Sequence, residues 1–180
     1  MRKLLCTICA LVIALTLFSC GGKTLIDTYI GKWEIFSRDS VYEDGSSMEL
    51  ILDLKADAVF TETITTYQNG KQSSVVSIDG EYGLTEVDDK TLNTTKGYCL
   101  WRRYDLESLQ VTSNEGDEKE EIEQYKEEFS KSNRDLDDAE KEGQVIGLAN
   151  ARVEGLELRW ETTERIGFGF NKTAKAKRII

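Results

Sequence analysis

The chain has 180 residues, of which 33 are acidic and 23 are basic, so its formal net charge at pH 7 is −10. This length allows one domain with a sizeable core, and the acidic balance argues against a nucleic-acid partner. The sequence contains no histidine, which excludes Ser-His and Cys-His catalytic pairs and every metal site that needs an imidazole.

The N-terminal segment has the pattern of an export signal. Arg2 and Lys3 precede residues 4–18, a stretch of 15 residues without a charge. As a helix this stretch would span about 22 Å, which is short of the roughly 30 Å hydrocarbon core of a bilayer. A cleaved signal is therefore favoured over a membrane-spanning anchor.

Residues 17–20, Leu-Phe-Ser-Cys, resemble the lipobox of bacterial lipoproteins. The resemblance implies that residues 1–19 are a signal peptide and that Cys20 carries acyl chains, which makes the membrane a partner of the chain. Gly21 and Gly22 follow without an acidic run, which resembles anchors that keep a lipoprotein on the periplasmic face of the outer membrane. The alternative is an ordinary secretory signal with an incidental cysteine.

The remaining cysteines are interpreted from this hypothesis. Cys6 and Cys9 would leave with the signal, so Cys99 would be the one free thiol of the mature chain and no disulfide is predicted. Residues 20–28 would form a lipidated linker to a domain over residues 29–172.

Residues 29–111 alternate apolar and polar positions, which is typical of half-buried β-strands. The Thr-rich residues 58–67 lead to Asn69-Gly70, a signal of a tight hairpin. Strands of this length and spacing predict an antiparallel barrel or sandwich. The alternating positions are Met48, Leu50, Leu52, Leu54, Val76, Ile78, Gly80, Tyr82, Leu84, Tyr98, Leu100, Tyr104 and Leu106.

Residues 115–142 hold 13 acidic and 5 basic side chains. Apolar residues at helical spacing lie among them: Ile122, Tyr125, Phe129, Leu136 and Ala139. The sequence predicts a helical insertion at about 115–143, either as one amphipathic helix or as two broken near Ser132-Asn133, ending at Gly143. A solvated insertion is the favoured interpretation, and a lid or a partner-binding arm is the alternative.

The strand pattern resumes after the insertion. One alternating set is Leu156, Leu158, Trp160 and Thr162. A last strand is predicted at Ile166, Phe168 and Phe170. Residues 173–180 carry several positive charges and are predicted to be a solvated basic tail.

Gly31-Lys32-Trp33 at the start of the first strand resembles the Gly-x-Trp signature of lipocalins. With the strand order that follows, the resemblance covers about residues 29–112 and 145–172. It implies a mainly β fold, an antiparallel lipocalin-like barrel of about eight strands. It also implies that Gly31 and Trp33 close one end of the barrel, where the Trp packs under an Arg from near the last strand. Arg159 and Arg165 are the candidates for that Arg.

The segment 97–103, "GYCLWRR", and the following Tyr104 combine aromatic and cationic residues. The candidate ligand-binding residues are Tyr98, Trp101, Arg102, Tyr104 and Trp160. Cys99 would be activated if Arg102 or Arg103 lowered its pKa, but a buried, inert thiol is the favoured interpretation.

The functional prediction is a lipid-anchored, non-enzymatic binding module of the cell envelope, for a small apolar ligand inside the barrel. The alternative is a protein-interaction or inhibitor domain whose barrel interior is filled by side chains. A carboxylate-dependent hydrolase is less favoured, because nothing in the spacing of the acidic residues singles out a catalytic pair. No cofactor and no metal is predicted.

Overall fold

A computed structural model describes residues 24–36, 44–87, 97–114, 118–161 and 173–180. Within these ranges the fold is mainly β, an antiparallel sheet of nine strands with one α-helix. The predicted lipid attachment at Cys20 and the predicted strand at Ile166, Phe168 and Phe170 lie outside the described residues.

The strands alternate with short connections along most of the chain. They are β1 (Gly31–Phe36), β2 (Ser46–Leu54), β3 (Val59–Gln68), β4 (Lys71–Val87), β5 (Gly97–Tyr104), β6 (Gln110–Ser113), β7 (Ala149–Glu154), β8 (Glu157–Glu161) and β9 (Thr173–Ile179). The helix α1 spans Glu118–Lys141, and short 3-10 turns lie at Leu25–Thr28 and Leu106–Ser108.

The strands are ordered β5-β4-β3-β2-β1-β9-β8-β7 across the sheet, and β6 pairs with β4. These ladders leave the sheet open between its two end strands, β5 and β7. At one point the two ends meet in a single bridge, where Leu100 and Leu148 exchange backbone hydrogen bonds of 3.1 and 2.9 Å. The described sheet is therefore antiparallel and curved enough for its ends to touch, but no ladder joins them.

The hairpin predicted at Asn69-Gly70 is confirmed. Both residues have positive φ, 51° and 76°, and they join β3 to β4 with Gln68 opposite Lys71. Two positive φ angles in a two-residue loop match the right-handed twist of the flanking strands, which is why Asn-Gly is favoured there.

The prediction of a solvated basic tail at residues 173–180 is wrong. Thr173–Ile179 form β9, which lies between β1 and β8. Ala176 is 1% exposed, while Lys175 and Lys177 on either side of it face solvent. Small apolar residues thus alternate with charged ones at the strand period of two, and the positive charges hid that pattern in the sequence.

The main core lies on one face of the sheet and is densely filled. Trp33, Leu52, Phe60, Leu100 and Leu158 are each 0% exposed. They come from β1, β2, β3, β5 and β8, so the same cluster joins nearly the whole width of the sheet. Burial of such side chains contributes roughly 1.5–3 kcal/mol each, which lets the described part of the chain hold together without a disulfide.

The predicted insertion contains one continuous helix, and the break considered near Ser132-Asn133 does not occur. Beyond its C-terminus Gly143 has φ +71°, and the N–H of Gln144 donates to the Ala139 carbonyl at 2.8 Å. This is a Schellman-type ending, which satisfies carbonyls left over at the end of a helix. The apolar stripe of α1 packs against a second cluster on the sheet, in which Phe129 contacts Val76 and Ile78.

Candidate functional site

The Gly-x-Trp segment begins β1, beside β9 and just after the 3-10 turn Leu25–Thr28. Trp33 is fully buried and its Nε1 donates to the Tyr29 carbonyl at 2.8 Å. The Arg178 guanidinium carbon lies 4.6 Å from the centroid of the Trp33 ring, a distance typical of a cation–π contact. The same guanidinium donates to the Ile30 carbonyl at 2.7 Å. We call this end of the domain the Trp33 end. It comprises Gly31, Trp33 and Arg178 with the segments beside them, which are the 3-10 turn Leu25–Thr28, the turn between β7 and β8 and the turn between β2 and β3.

Gly31 allows this close approach. Its φ is +140°, and a Cβ at this position would lie 3.1 Å from Arg178 Nε. A side chain would therefore need both a strained backbone and a displaced guanidinium. The predicted structural role of Gly31 and Trp33 at one end of the domain is consistent with these contacts.

The arginine predicted to pack on Trp33 was misidentified. Arg159 instead binds the Glu157 carboxylate at 2.5 Å and the Glu154 carboxylate at 3.3 Å. Arg165 lies outside the described residues. Arg178, which was assigned to a solvated tail, takes the position beside the ring because β9 pairs directly with β1, with Arg178 opposite Trp33.

Two of the candidate ligand-binding residues, Arg102 and Tyr104, lie together on β5 and share a partner on β3. The Arg102 guanidinium pairs with the carboxylate of Glu62, which is only 4% exposed. The Tyr104 hydroxyl donates to the same carboxylate at 3.3 Å, and Arg102 lies 5.7 Å from the Tyr104 ring centroid. We call Glu62, Arg102 and Tyr104 the buried polar cluster.

Sequence reasoning missed Glu62. It lies between Phe60 and Ile64 on one face of β3, so a carboxylate there interrupts apolar residues that recur at the strand period of two. That break is a usable signal, because a buried carboxylate needs a cation or several hydrogen-bond donors nearby.

Burial and neighbouring groups shift the pKa values of two members of the buried polar cluster, Tyr104 and Arg102. Burial raises the pKa of Tyr104, an effect that Arg102 opposes and Glu62 adds to, so the phenol stays protonated as a donor. Burial alone would lower the pKa of Arg102, but its electrostatic interactions with Tyr104 and Glu62 outweigh burial and raise that pKa, so the guanidinium stays charged. Neither Tyr104 nor Arg102 is therefore tuned to exchange a proton near neutral pH.

Tyr104 also connects the sheet interior to the helix. Its ring meets Phe60 edge-on at a centroid distance of 5.4 Å and packs on Phe129 of α1 at 4.5 Å. Its backbone N–H donates to the Asn133 side-chain oxygen at 2.9 Å, and the Asn133 amide nitrogen donates to the Tyr104 carbonyl at 2.8 Å. The asparagine thus pairs with β5 as a neighbouring strand would.

The other candidates do not join this cluster. Trp101 projects to the opposite face of β5, where its ring lies over Gly83 so closely that a Cβ there would be 2.4 Å from the ring. Trp160 on β8 is 4% exposed in the main core. Tyr98 lies near Tyr29, whose pKa is raised first by burial and then by the charge of Tyr98. The structure therefore spreads the five candidates over several environments.

Cys99 has the properties of a buried, inert thiol. It is 3% exposed, and burial raises its pKa to about 11. Neither Arg102 nor Arg103 offsets that effect, and Arg103 instead binds Asp137 of α1 at 2.5 Å. The thiolate needed for nucleophilic chemistry is therefore scarce at neutral pH.

Two grooves on the described surface are open to solvent. One, of about 540 Å³, runs along α1 beside Leu106 and is lined by Glu120, Glu123 and Glu127 together with polar neighbours. The other, of about 490 Å³, lies over Val59, Gly80 and Tyr104 and also includes charged side chains. Both differ from the enclosed apolar pocket that a small-ligand carrier needs.

No group of Cys, Asp and Glu side chains in the described ranges is close enough to hold a metal ion. Of the helices described, none combines the length and hydropathy of a membrane-spanning segment.

No protein-family model, curated protein or solved structure significantly matches this chain.

Proposed function

We propose that this protein is a lipid-anchored lipoprotein of the bacterial envelope, whose lipocalin-like β domain is a non-enzymatic module that binds another protein. The observation that carries the proposal is the filled interior of a domain that follows a lipobox-like segment. The filled interior argues for binding at the outer surface of the domain, and the lipobox-like segment argues for a location in the cell envelope.

The anchor rests on the lipobox resemblance of residues 17–20. Acylation of Cys20 would attach the chain to the outer membrane, where we place it on the periplasmic face. Each buried CH2 of an acyl chain contributes roughly 0.8 kcal/mol to membrane binding, so two or three chains would hold the domain firmly.

The lipocalin-like barrel is supported by two contacts. The first is the packing of Arg178 on Trp33 beside the Gly31 backbone. The second is the bridge between Leu100 and Leu148, which brings the two end strands of the sheet together. Extension of that bridge into a ladder would close the sheet.

The packed interior favours a protein partner over a small apolar ligand. A side chain that is 0–1% exposed has almost no surface that a water molecule could touch, so it does not border a void that a ligand could enter. Trp33, Leu52, Phe60 and Leu100 meet this condition, and the neighbouring space is taken by Glu62 paired to Arg102. Binding is therefore assigned to the outer surface.

The groove along α1 is the partner surface that we favour. It sets the apolar side chain of Leu106 beside three carboxylates and one cation, Lys126. The excess of negative charge suits a basic segment with an apolar residue. The carboxylates are those of Glu120, Glu123 and Glu127. The exposed face of the predicted insertion would then act as a partner-binding arm.

Intact-mass measurement of the wild-type protein and of Cys20→Ala, both purified from cell membranes in detergent, tests the anchor. We expect the wild type to begin at Cys20 and to carry the mass of its acyl chains, and the variant to lack that mass. A wild-type protein found unmodified and soluble would contradict the proposal.

A further inference from the structure

Several large aliphatic side chains are exposed at the Trp33 end. Leu25, Leu156 and Ile179 are 44%, 49% and 42% exposed. Hydrogen bonds tie the segments that carry them together: Arg178 donates to the Leu156 carbonyl at 2.8 Å through its backbone N–H and to the Thr28 carbonyl at 3.3 Å through its guanidinium. The side chains therefore share one end of the domain.

The large apolar side chains that are exposed are not spread evenly over the described surface. The exposed large apolar side chains of the described ranges are Leu25, Val59, Ile146, Leu156, Ile179 and Ile180. All except Ile146 lie at the Trp33 end. Ile180 directly follows Ile179. Val59 is at this end because its carbonyl accepts from the N–H of Lys55, which follows Leu54, the residue paired with Gly31. Isolated exposed apolar residues are ordinary, but a group of them at one end indicates a contact surface.

The position of this end in the chain points to what it contacts. Cys20 precedes Thr24, the first described residue, by four residues. Four residues reach at most about 14 Å even when fully extended. Thr24, which directly precedes the 3-10 turn Leu25–Thr28, therefore stays within about 14 Å of the acylated cysteine. The opposite hairpin at Asn69-Gly70 lies about the length of β3 further away.

The distribution of charge also distinguishes the Trp33 end from the opposite end of the domain. At the Trp33 end Glu154 and Glu157 are paired to Arg152 and Arg159 at 2.5–3.3 Å, and Lys177 faces solvent beside them. These ion pairs neutralise the two carboxylates beside the turn between β7 and β8.

The first half of α1, residues 118–129, in contrast holds six acidic and two basic side chains. Its first turns lie toward the opposite hairpin, because Ser113, which donates to Glu121 at 2.7 Å, pairs with Ser74 of β4. Anionic headgroups attract cations and repel such an acidic surface within about a Debye length.

We propose that the exposed aliphatic side chains of the Trp33 end rest in the lipid surface that the acyl chains of Cys20 enter, so that α1 and its groove point away from the membrane. This orientation rests on the proposed anchor. The surface is a second membrane contact, made by the folded domain itself, and it fixes which side a partner can approach.

Depth measurement with an environment-sensitive probe tests the orientation. Leu156→Cys, in the turn between β7 and β8, and Gln124→Cys, on the exposed side of α1, are each labelled with a nitrobenzoxadiazole dye. Cys99 is buried with a raised pKa and does not compete for the dye. The full lipidated protein is inserted into vesicles of phosphatidylethanolamine and phosphatidylglycerol that carry a nitroxide quencher at the headgroup depth.

We expect about twofold or greater quenching at position 156 and little at position 124, with a second probe at Leu25→Cys behaving like position 156. Equal quenching at positions 156 and 124 in protein that floats with the vesicles would overturn the orientation and leave the anchor standing. Wild-type protein that does not float with the vesicles would overturn the anchor and, with it, the orientation.

Discussion

Glu62 and Arg102 form a charge pair between β3 and β5. Their charges meet inside an otherwise apolar face, and Arg102 keeps a side-chain exposure of 21% against 5% for Glu62. Removing one partner of such a pair leaves the other charge buried and uncompensated, whereas removing both costs much less.

We therefore predict that Arg102→Met lowers the free energy of unfolding by about 2–4 kcal/mol, a value reduced from the fully buried case by the partial exposure of Arg102. The double variant Glu62→Leu with Arg102→Met should be more stable than Arg102→Met alone. Urea unfolding followed by tryptophan fluorescence measures both.

Arg103→Met is the matched control, since Arg103 pairs with Asp137 and Glu140 at the exposed surface of α1. It should cost no more than about 1 kcal/mol. Additive effects of Glu62→Leu and Arg102→Met in the double variant would contradict the coupling of the pair.

Cys99 gives a prediction for alkaline pH. Its pKa is raised by burial to about 11 from an ordinary value of 9.0, so the folded state holds the thiol proton more tightly than the unfolded state. The stability linked to this proton is complete below pH 9 and is lost as the pH rises through about 11, by up to about 2–3 kcal/mol.

Cys99→Ala should therefore lose less stability between pH 9 and pH 11 than the wild type, although it starts from a lower value at pH 7. Burial also raises the pKa of Tyr29 and Tyr82, but both proteins share that effect. Unfolding curves with the same pH slope in the two proteins would show that the Cys99 thiol ionises normally in the folded state.

At the scale of the elements, Asn133 links α1 to the edge of β5. Its side chain exchanges two hydrogen bonds with the backbone of Tyr104, and the loss of both leaves a part-buried N–H and carbonyl without partners.

We predict that Asn133→Ala destabilises the protein by about 1–3 kcal/mol, while its exposed neighbour Ser132→Ala stays within about 0.5 kcal/mol of the wild type. Hydrogen exchange at the Tyr104 amide should also accelerate in Asn133→Ala alone. An unchanged exchange rate at this amide would mean that the asparagine does not hold the strand edge.

The sequence predicted those elements that local chemistry determines. Asn69-Gly70 specifies its hairpin through two positive φ angles, and the helix ends as Gly143 predicted. Gly31 and Trp33 were singled out because three adjacent residues carry the Gly-x-Trp pattern, and their role in closing a barrel stays a prediction.

The features that sequence reasoning missed depend on pairing between distant strands. Arg178 reaches Trp33 only because β9 returns to lie beside β1, and Arg102 is 40 residues from Glu62 along the chain. Nothing in the local pattern around Arg178 or Glu62 identifies the partner. Contacts of this kind become visible only when the order of strands in the sheet is known.

At the scale of the whole molecule, the interior and the surface have separate roles in the proposed function. The main core is filled by side chains such as Trp33, Phe60 and Leu158, which stabilises the sheet and leaves no enclosed site in contact with them. The acidic surface of α1 and the aliphatic Trp33 end would then face a protein partner and the membrane, respectively.

Native mass spectrometry of the protein extracted from cell envelopes tests the central claim, a packed domain that binds another protein, most directly. We predict complexes with a second protein and no small molecule bound to the folded chain. The complexes should weaken when Glu120, Glu123 and Glu127 are changed to Gln. A small molecule bound one-to-one to most of the wild-type protein, and released when the protein unfolds, would contradict the claim.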